Sequence, residues 1–435
     1  MSYSPEKQSQ GELKPVLIAF VLTIVALALV FMRNELSNNY QVLPSIVSDN
    51  TEYLKMGQGD THDVMSPFTR RALFPFMAYC ISQTMGLPIP SAFIILDIIS
   101  VFLLIYFLAK ILIRFGLSPW ITAIFILTPY SLDRVVNGYM PDLFHSTLTA
   151  FFFLLILQKR FLSGLIVLAV AYMVRENTLI LCLVFGIIAW VRRFYGVAFG
   201  SGLVILFGTA FGSWAIRLGQ PNIHHLPDFL YFGLKMPHQF LKNVFGFRIW
   251  TNTLPFGEPF KIFVLPTYLR AGDVHAVGLC YPEWSLPFFT LITLLTLFGA
   301  GPLIVWRTRR IGLWTNHHSL AIQVVFVYGL ISYFLGTSIG DWVDRLIGYG
   351  WPLFWIGVPY ILAMMKHRHA DRLFNWSLFS LGFIPWLPLL LGYNRGSSIS
   401  TALLTIVVSL AVYGLLWLQF RNVPLQFASQ QPEPK

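Results

Sequence analysis

Long apolar runs separated by short polar turns occupy most of this chain. A helix that crosses a bilayer needs about 20 consecutive apolar residues, and the first run of that kind covers residues 15–32. Later runs fall at 91–113, 119–130, 143–157, 162–174, 178–190 and 197–215, and then at 284–306, 320–337, 347–365, 376–391 and 399–420. One further run, 72–85, is short for a crossing and is bracketed by Pro75, Gly86, Pro88 and Pro90; segments of that length lie in the interface or re-enter. With that run left out and the N-terminus inside, the pattern predicts about twelve spans. Several of them, such as 119–130 and 162–174, are shorter than the bilayer is thick and must lean on neighbours or thin the membrane. The run at 15–32 lacks a small-residue cleavage site and reads as a retained first span rather than a removed signal peptide.

The fold class expected is therefore all-α, a polytopic transmembrane helical bundle forming one membrane domain over 1–435. Residues 1–14 and 421–435 are cytoplasmic tails, 33–90 a first outer loop with juxtamembrane helices, and 217–283 a long outer loop. Composition supports this: 56% of residues are hydrophobic and only 11% charged, more apolar surface than a soluble chain can bury in one core. The net charge of +11 points to nucleic acid only until it is read loop by loop. Lys159-Arg160, Arg192-Arg193 and Arg307, Arg309 and Arg310 all fall on the inner side, as the positive-inside rule requires. Counting 72–85 as a crossing would put these clusters outside. The same assignment places most acids outside, among them Asp49, Asp60, Asp63, Asp142, Glu176 and Asp344. Asp97 is the sole carboxylate inside a span, where a helix-packing hydrogen bond is the expected role. Cys80, Cys182 and Cys280 show no metal or redox spacing.

Candidate chemistry gathers at the outer edge. The stretch 49–75 carries Asp49, Glu52, Asp60 and Asp63 ahead of Arg70 and Arg71. If the first part is helical, Asp49 and Tyr53 share a face, with Glu52 off that face and solvated. Paired guanidiniums at a membrane edge offer bidentate donors to phosphate or carboxylate; interface anchoring is the plainer account. Asp142 opens a helix, where capping alone would explain it. Arg175 and Glu176 share a tight turn, either neutralising each other or presenting Arg175 to an anion. Asp344-Arg345 forms a further acidic-basic pair near a late span. The histidines His224, His225, His238 and His275 fit no zinc spacing, and the segment 235–250 alternates apolar and basic residues as an amphipathic surface helix does.

These features resemble the GT-C superfamily of integral-membrane glycosyltransferases, which use lipid-phosphate-linked sugars. The similarity lies in Asp49 soon after the first span, in the D-x-x-x-Y…P-x-x-x-R-x-L-x-P run from Asp49 to Pro75, in Arg175-Glu176, and in Asp344-Arg345. The run 72–85 is similar to the juxtamembrane helix such proteins carry. What the resemblance implies is inverting transfer of a sugar from a polyprenyl-phosphate donor to an acceptor hydroxyl on the extracytoplasmic face. Asp49 would be the base, with Asp60 and Asp63 as runners-up. Tyr53, Asp60, Asp63, Arg70, Arg71, Asp142, Arg175, Glu176, Asp344 and Arg345 would bind substrate. The D-D or D-E doublet of many relatives is absent from the first loop, so no cofactor is expected and a divalent metal is not indicated. The partners implied are the lipid-linked sugar, an unidentified glycan, lipid or protein acceptor, and the bilayer, with no nucleic acid. A transporter or flippase of a lipid-linked saccharide, a surface-polysaccharide polymerase or ligase, and a non-catalytic membrane subunit compete with this reading. With its lone N-x-S/T site at Asn375 near an inner span end, the chain is expected in a bacterial inner membrane.

Overall fold

The computed structural model describes residues 5–32, 49–64, 68–135, 138–219, 228–247, 249–251, 261–266, 276–280, 285–308, 319–339, 343–366, 371–394 and 397–421. It is a membrane protein built of helices. Five helices are long and apolar enough to cross a bilayer: α1 (Pro5–Met32), α4 (Ile89–Arg114), α10 (Tyr195–Ile216), α14 (Leu320–Ile339) and α19 (Ile399–Arg421). A sixth crossing arises if the segments Val343–Gly350 and Leu353–Met364, bent by 41° at Trp351-Pro352, count as one. Shorter apolar helices, α7 (Asp142–Leu157), α8 (Phe161–Val174), α9 (Thr178–Val191) and α12 (Ser285–Thr296), pack beside them.

Burial ranks these helices by position. In α14, 72% of the apolar window is buried, against 22% in α10, so α14 sits inside the bundle and α10 at its rim. Helix α4 packs on α1 and α7, α7 on α8, and α14 on α9. The core between them is aliphatic and aromatic, with Ile105, Leu108, Phe152, Phe185 and Val325 fully buried. Asp97 is fully buried within α4.

Two expected spans are broken. Residues 119–130 form a 3-10 turn (Pro119–Ile121), α5 (Thr122–Ile126) and the start of α6 (Pro129–Val135). Pro129 lacks an amide proton and cannot continue α5, and the Thr128 hydroxyl donates to the Phe125 carbonyl at 3.0 Å instead. Residues 284–306 split into α12 and α13 (Gly301–Thr308) around Gly299, whose φ is +57°. A Cβ there would also meet the Leu381 Cα at 2.6 Å, so only glycine fits. Besides the helices the chain forms a small antiparallel sheet, β1 (Ile249–Thr251), β2 (Lys261–Pro266) and β3 (Ala276–Cys280), in the order β1-β3-β2. Its register pairs Trp250 with Gly278 and Val264 with Gly278. Before it, α11 (Asp228–Phe245) packs on α14, and its buried Asn243 donates to the Thr337 carbonyl at 2.9 Å. One face of the amphipathic segment thus docks on protein, while Phe240 and Phe245 stay exposed.

The elements that matter most for the site are short. Helix α2 (Asp49–Gly57) and a 3-10 turn (Phe68–Arg71) lead into α3 (Leu73–Met85), which packs on α2 and α4. At 13 residues, α3 reaches only about 20 Å, well short of a ~30 Å hydrocarbon core. Gly86 ends it at φ 64°, its amide bonding the Ser82 carbonyl, the left-handed cap that turns the chain into α4. Cys80 is exposed on α3, whereas Cys182 is buried in α9.

Candidate functional site

Four segments far apart in sequence meet around one buried carboxylate. Asp142, the first residue of α7, is only 1% exposed. Arg175 follows the last turn of α8 with an extended backbone, φ −158° and ψ 130°, which swings its side chain out of helical register. Its Nη1 donates to Asp142 Oδ1, and its guanidinium lies 5.0 Å from the centre of the Tyr349 ring. The Tyr349 hydroxyl donates to the same Oδ1. Arg345, on α15 (Val343–Ile347), brings Nη2 to 2.8 Å from Asp142 Oδ2. Its Nη1 donates to Asp49 Oδ2 at 3.0 Å. Two acids and two guanidiniums balance in a setting where an unpaired charge costs several kcal/mol.

A second cluster adjoins the first. The Arg71 Nε donates to Glu176 Oε2 at 2.7 Å, and its Nη2 donates to Oε1, a bidentate pairing. Its Nη1 donates to the Tyr53 hydroxyl at 2.7 Å. Tyr53 is fully buried, edge-on to Phe68 at 5.6 Å. Burial raises the Tyr53 phenol above its usual range, and the opposing pull of Arg71 offsets only part of that rise. Burial alone would push the Glu176 carboxyl up, but the charge and hydrogen bonds of Arg71, with help from Arg175, bring it down to about 2. Desolvation would lower Arg71; Glu176 and Tyr53 override it and hold the guanidinium well above its ordinary value. This latch fastens the first loop to the turn between α8 and α9.

The sequence expectations divide accordingly. Asp49 and Tyr53, four apart on α2, pair with guanidiniums of the two adjoining clusters, Asp49 with Arg345 and Tyr53 with Arg71. Arg175 and Glu176 neither neutralise each other nor stand free, since each pairs with a different partner. Asp142 is an ion-pair centre, with no side-chain cap on its helix. Glu52 corrects the reading of a solvated acid: it is 1% exposed and pairs with Lys55 at 3.2 Å. The buried face of α2 is Glu52, Tyr53, Met56 and Gly57, whereas the Asp49 side chain keeps 38% of its surface accessible. Asp60 and Asp63 are exposed and take no part in either cluster. Asp344 is half-buried and lies outside these ion pairs. Arg70 diverges from Arg71 and lines a cavity of about 110 Å³ with Tyr172, Glu176, Thr209, Gly212 and Ser213. His224, His225 and His275 lie outside the described residues.

Tyr349 was not singled out from sequence, and neither was Arg134, whose guanidinium lies 4.3 Å from the Tyr130 ring centre. A tyrosine between two glycines in an apolar run carries no signal until the fold brings Asp142 to it. His145 is buried one helical turn from Asp142, its Nε2 3.0 Å from the Thr178 hydroxyl. Among the described residues no three His, Cys, Asp or Glu side chains gather as a metal-binding group. Asp49, Asp142 and Glu176 are each engaged by arginine. Chemically, the assembly offers two partly accessible carboxylates, Asp49 and Glu176, each beside a buried guanidinium. Compared with known proteins, the chain matches no family model and no curated protein.

Proposed function

We propose that this protein is an inverting glycosyltransferase of the GT-C kind, moving a sugar from a polyprenyl phosphate to an acceptor hydroxyl at an extracytoplasmic face. The carrying observation is the meeting of Asp49, Asp142, Arg175 and Arg345 at one place, from positions up to 296 residues apart in sequence. In the proposed reaction Asp49 takes the acceptor proton and the acceptor oxygen bonds the anomeric carbon. The bond from that carbon to the phosphate oxygen breaks, and its electron pair leaves with the lipid phosphate. Arg345, Arg175, Arg71 and Arg70 are the cations available to the departing phosphate as its charge grows. A bundle of about twelve spans with both termini cytoplasmic would leave the isoprenoid tail in lipid while the sugar enters from the outer side.

The bent pair around Pro352 favours a second reading, a flippase of the same lipid-linked sugar, because broken helices are a feature of transporters. Transfer of labelled sugar from polyprenyl-phosphate hexoses and pentoses in membranes holding the protein separates the two. Asp49→Asn is expected to insert normally and to lower transfer about 10²–10⁴-fold. Full transfer by this variant sinks the assignment of the base, and label crossing the bilayer without transfer supports the flippase.

A further inference from the structure

Arg345 serves two acids of unequal standing. Toward Asp142 it is buried, and Asp142 also holds Arg175 and Tyr349. Toward Asp49 it makes one hydrogen bond of 3.0 Å, at a carboxylate 38% accessible. Among the described residues, Arg345 is the ion-pair partner of Asp49. The Nε of Arg345 is buried without a hydrogen-bond acceptor, on the guanidinium edge that Nη2 shares and turns to Asp142. An ion pair at the solvent edge is worth less than the same pair in a dry interior. A competing oxyanion therefore displaces Asp49 before it displaces Asp142.

We infer that Arg345 is a positioning residue that trades Asp49 for an incoming oxyanion, so that the carboxylate is released only when the phosphate-bearing ligand is seated. This rests on the reading of Asp49 as the base. Arg345 occupies one oxygen of Asp49. When a phosphate or phosphodiester takes that donor, Asp49 loses its counter-ion and gains a negative neighbour. The freed carboxylate oxygen can then turn to an acceptor hydroxyl. No bond of the ligand is broken in the exchange. Asp142 keeps Arg345 anchored throughout, because releasing it would strand a buried charge.

Carbodiimide labelling of the full chain in detergent, read peptide by peptide by mass spectrometry, tests this without an activity assay. Exposed Asp60 and Asp63 on the same loop serve as internal references. Farnesyl phosphate is expected to raise labelling of Asp49 several-fold and leave the references unchanged, whereas farnesol has no effect. An equal rise with inorganic phosphate at the same concentration also supports the exchange and assigns the anion to a free phosphate rather than a lipid. In Arg345→Gln, Asp49 is expected to label at the high level with or without farnesyl phosphate. Unchanged or reduced labelling at millimolar farnesyl phosphate, or a rise produced by farnesol, overturns the proposal. Should Asp49→Asn retain transfer while the labelling shift stands, the base assignment fails and the exchange survives; lost transfer without a labelling shift is the reverse.

Discussion

Asp142 shows how much hangs on a single buried group. It counters Arg175 and Arg345 at once, so neutralising it strands Arg175, 5% exposed, and leaves Arg345, 7% exposed, with Asp49 alone. Removing one partner of such a buried arrangement costs about 3–5 kcal/mol. Asp142→Asn is expected to lower the melting temperature of the purified protein sharply. Adding Arg175→Met should recover part of the loss, since one stranded charge is then gone. Glu176 makes the pH-dependent case. Its folded value of about 2 lies below the ordinary 4.5, so the stability it contributes is fully present above pH 4.5 and is lost as pH falls through about 2. Melting curves taken between pH 6 and 3 should decline less steeply in Glu176→Gln than in the parent protein, starting from a lower plateau.

At the scale of elements, the placement of Arg345 depends on how closely α15 approaches α14. A Cβ on Gly336 would lie 2.5 Å from the Ile347 Cα, and backbone cannot step aside as a flexible side chain does. Gly336→Ala is expected to destabilise by at least the ~1–3 kcal/mol of ordinary overpacking. It should also weaken the Arg345–Asp49 contact, which carbodiimide labelling of Asp49 would register as a rise without ligand. The same scale explains what was legible in sequence. Apolar period and length located α1, α4, α10, α14 and α19, and Pro and Gly around residues 72–85 identified α3 as short. The four-residue spacing of Asp49 and Tyr53 set them beside adjoining clusters, Asp49 on Arg345 and Tyr53 on Arg71. The breaks at Pro129 and Gly299 were missed because hydropathy alone does not sense a backbone that a neighbour such as Leu381 forces to turn. Glu52 was misjudged because helix spacing fixes relative direction, while α3 and α4 decide which direction is inward.

For the molecule as a whole, charge asymmetry supplies the orientation that a bundle of helices lacks by itself. The clusters sit where α7 and α9 begin and α8 ends, one end of the bundle. Lys159 and Arg193 mark turns at the opposite ends of α7 and α9, both with positive φ. A membrane-impermeant maleimide is expected to label Asp60→Cys in intact cells and Lys159→Cys only after permeabilisation, in a background with the native cysteines replaced. Labelling of Lys159→Cys in intact cells would invert the proposed topology and place the ion-paired end in the cytoplasm.

The shared dependence of Arg175 and Arg345 on one acid has an evolutionary corollary. A chain descended from the same ancestor that has lost Asp142 should have changed Arg175 or Arg345 alongside it, whereas Asp60 and Asp63 are free to drift singly. Joint replacement across these three sites, separated by 33 and 170 further positions, would serve as a signature for distant kin whose overall similarity has decayed.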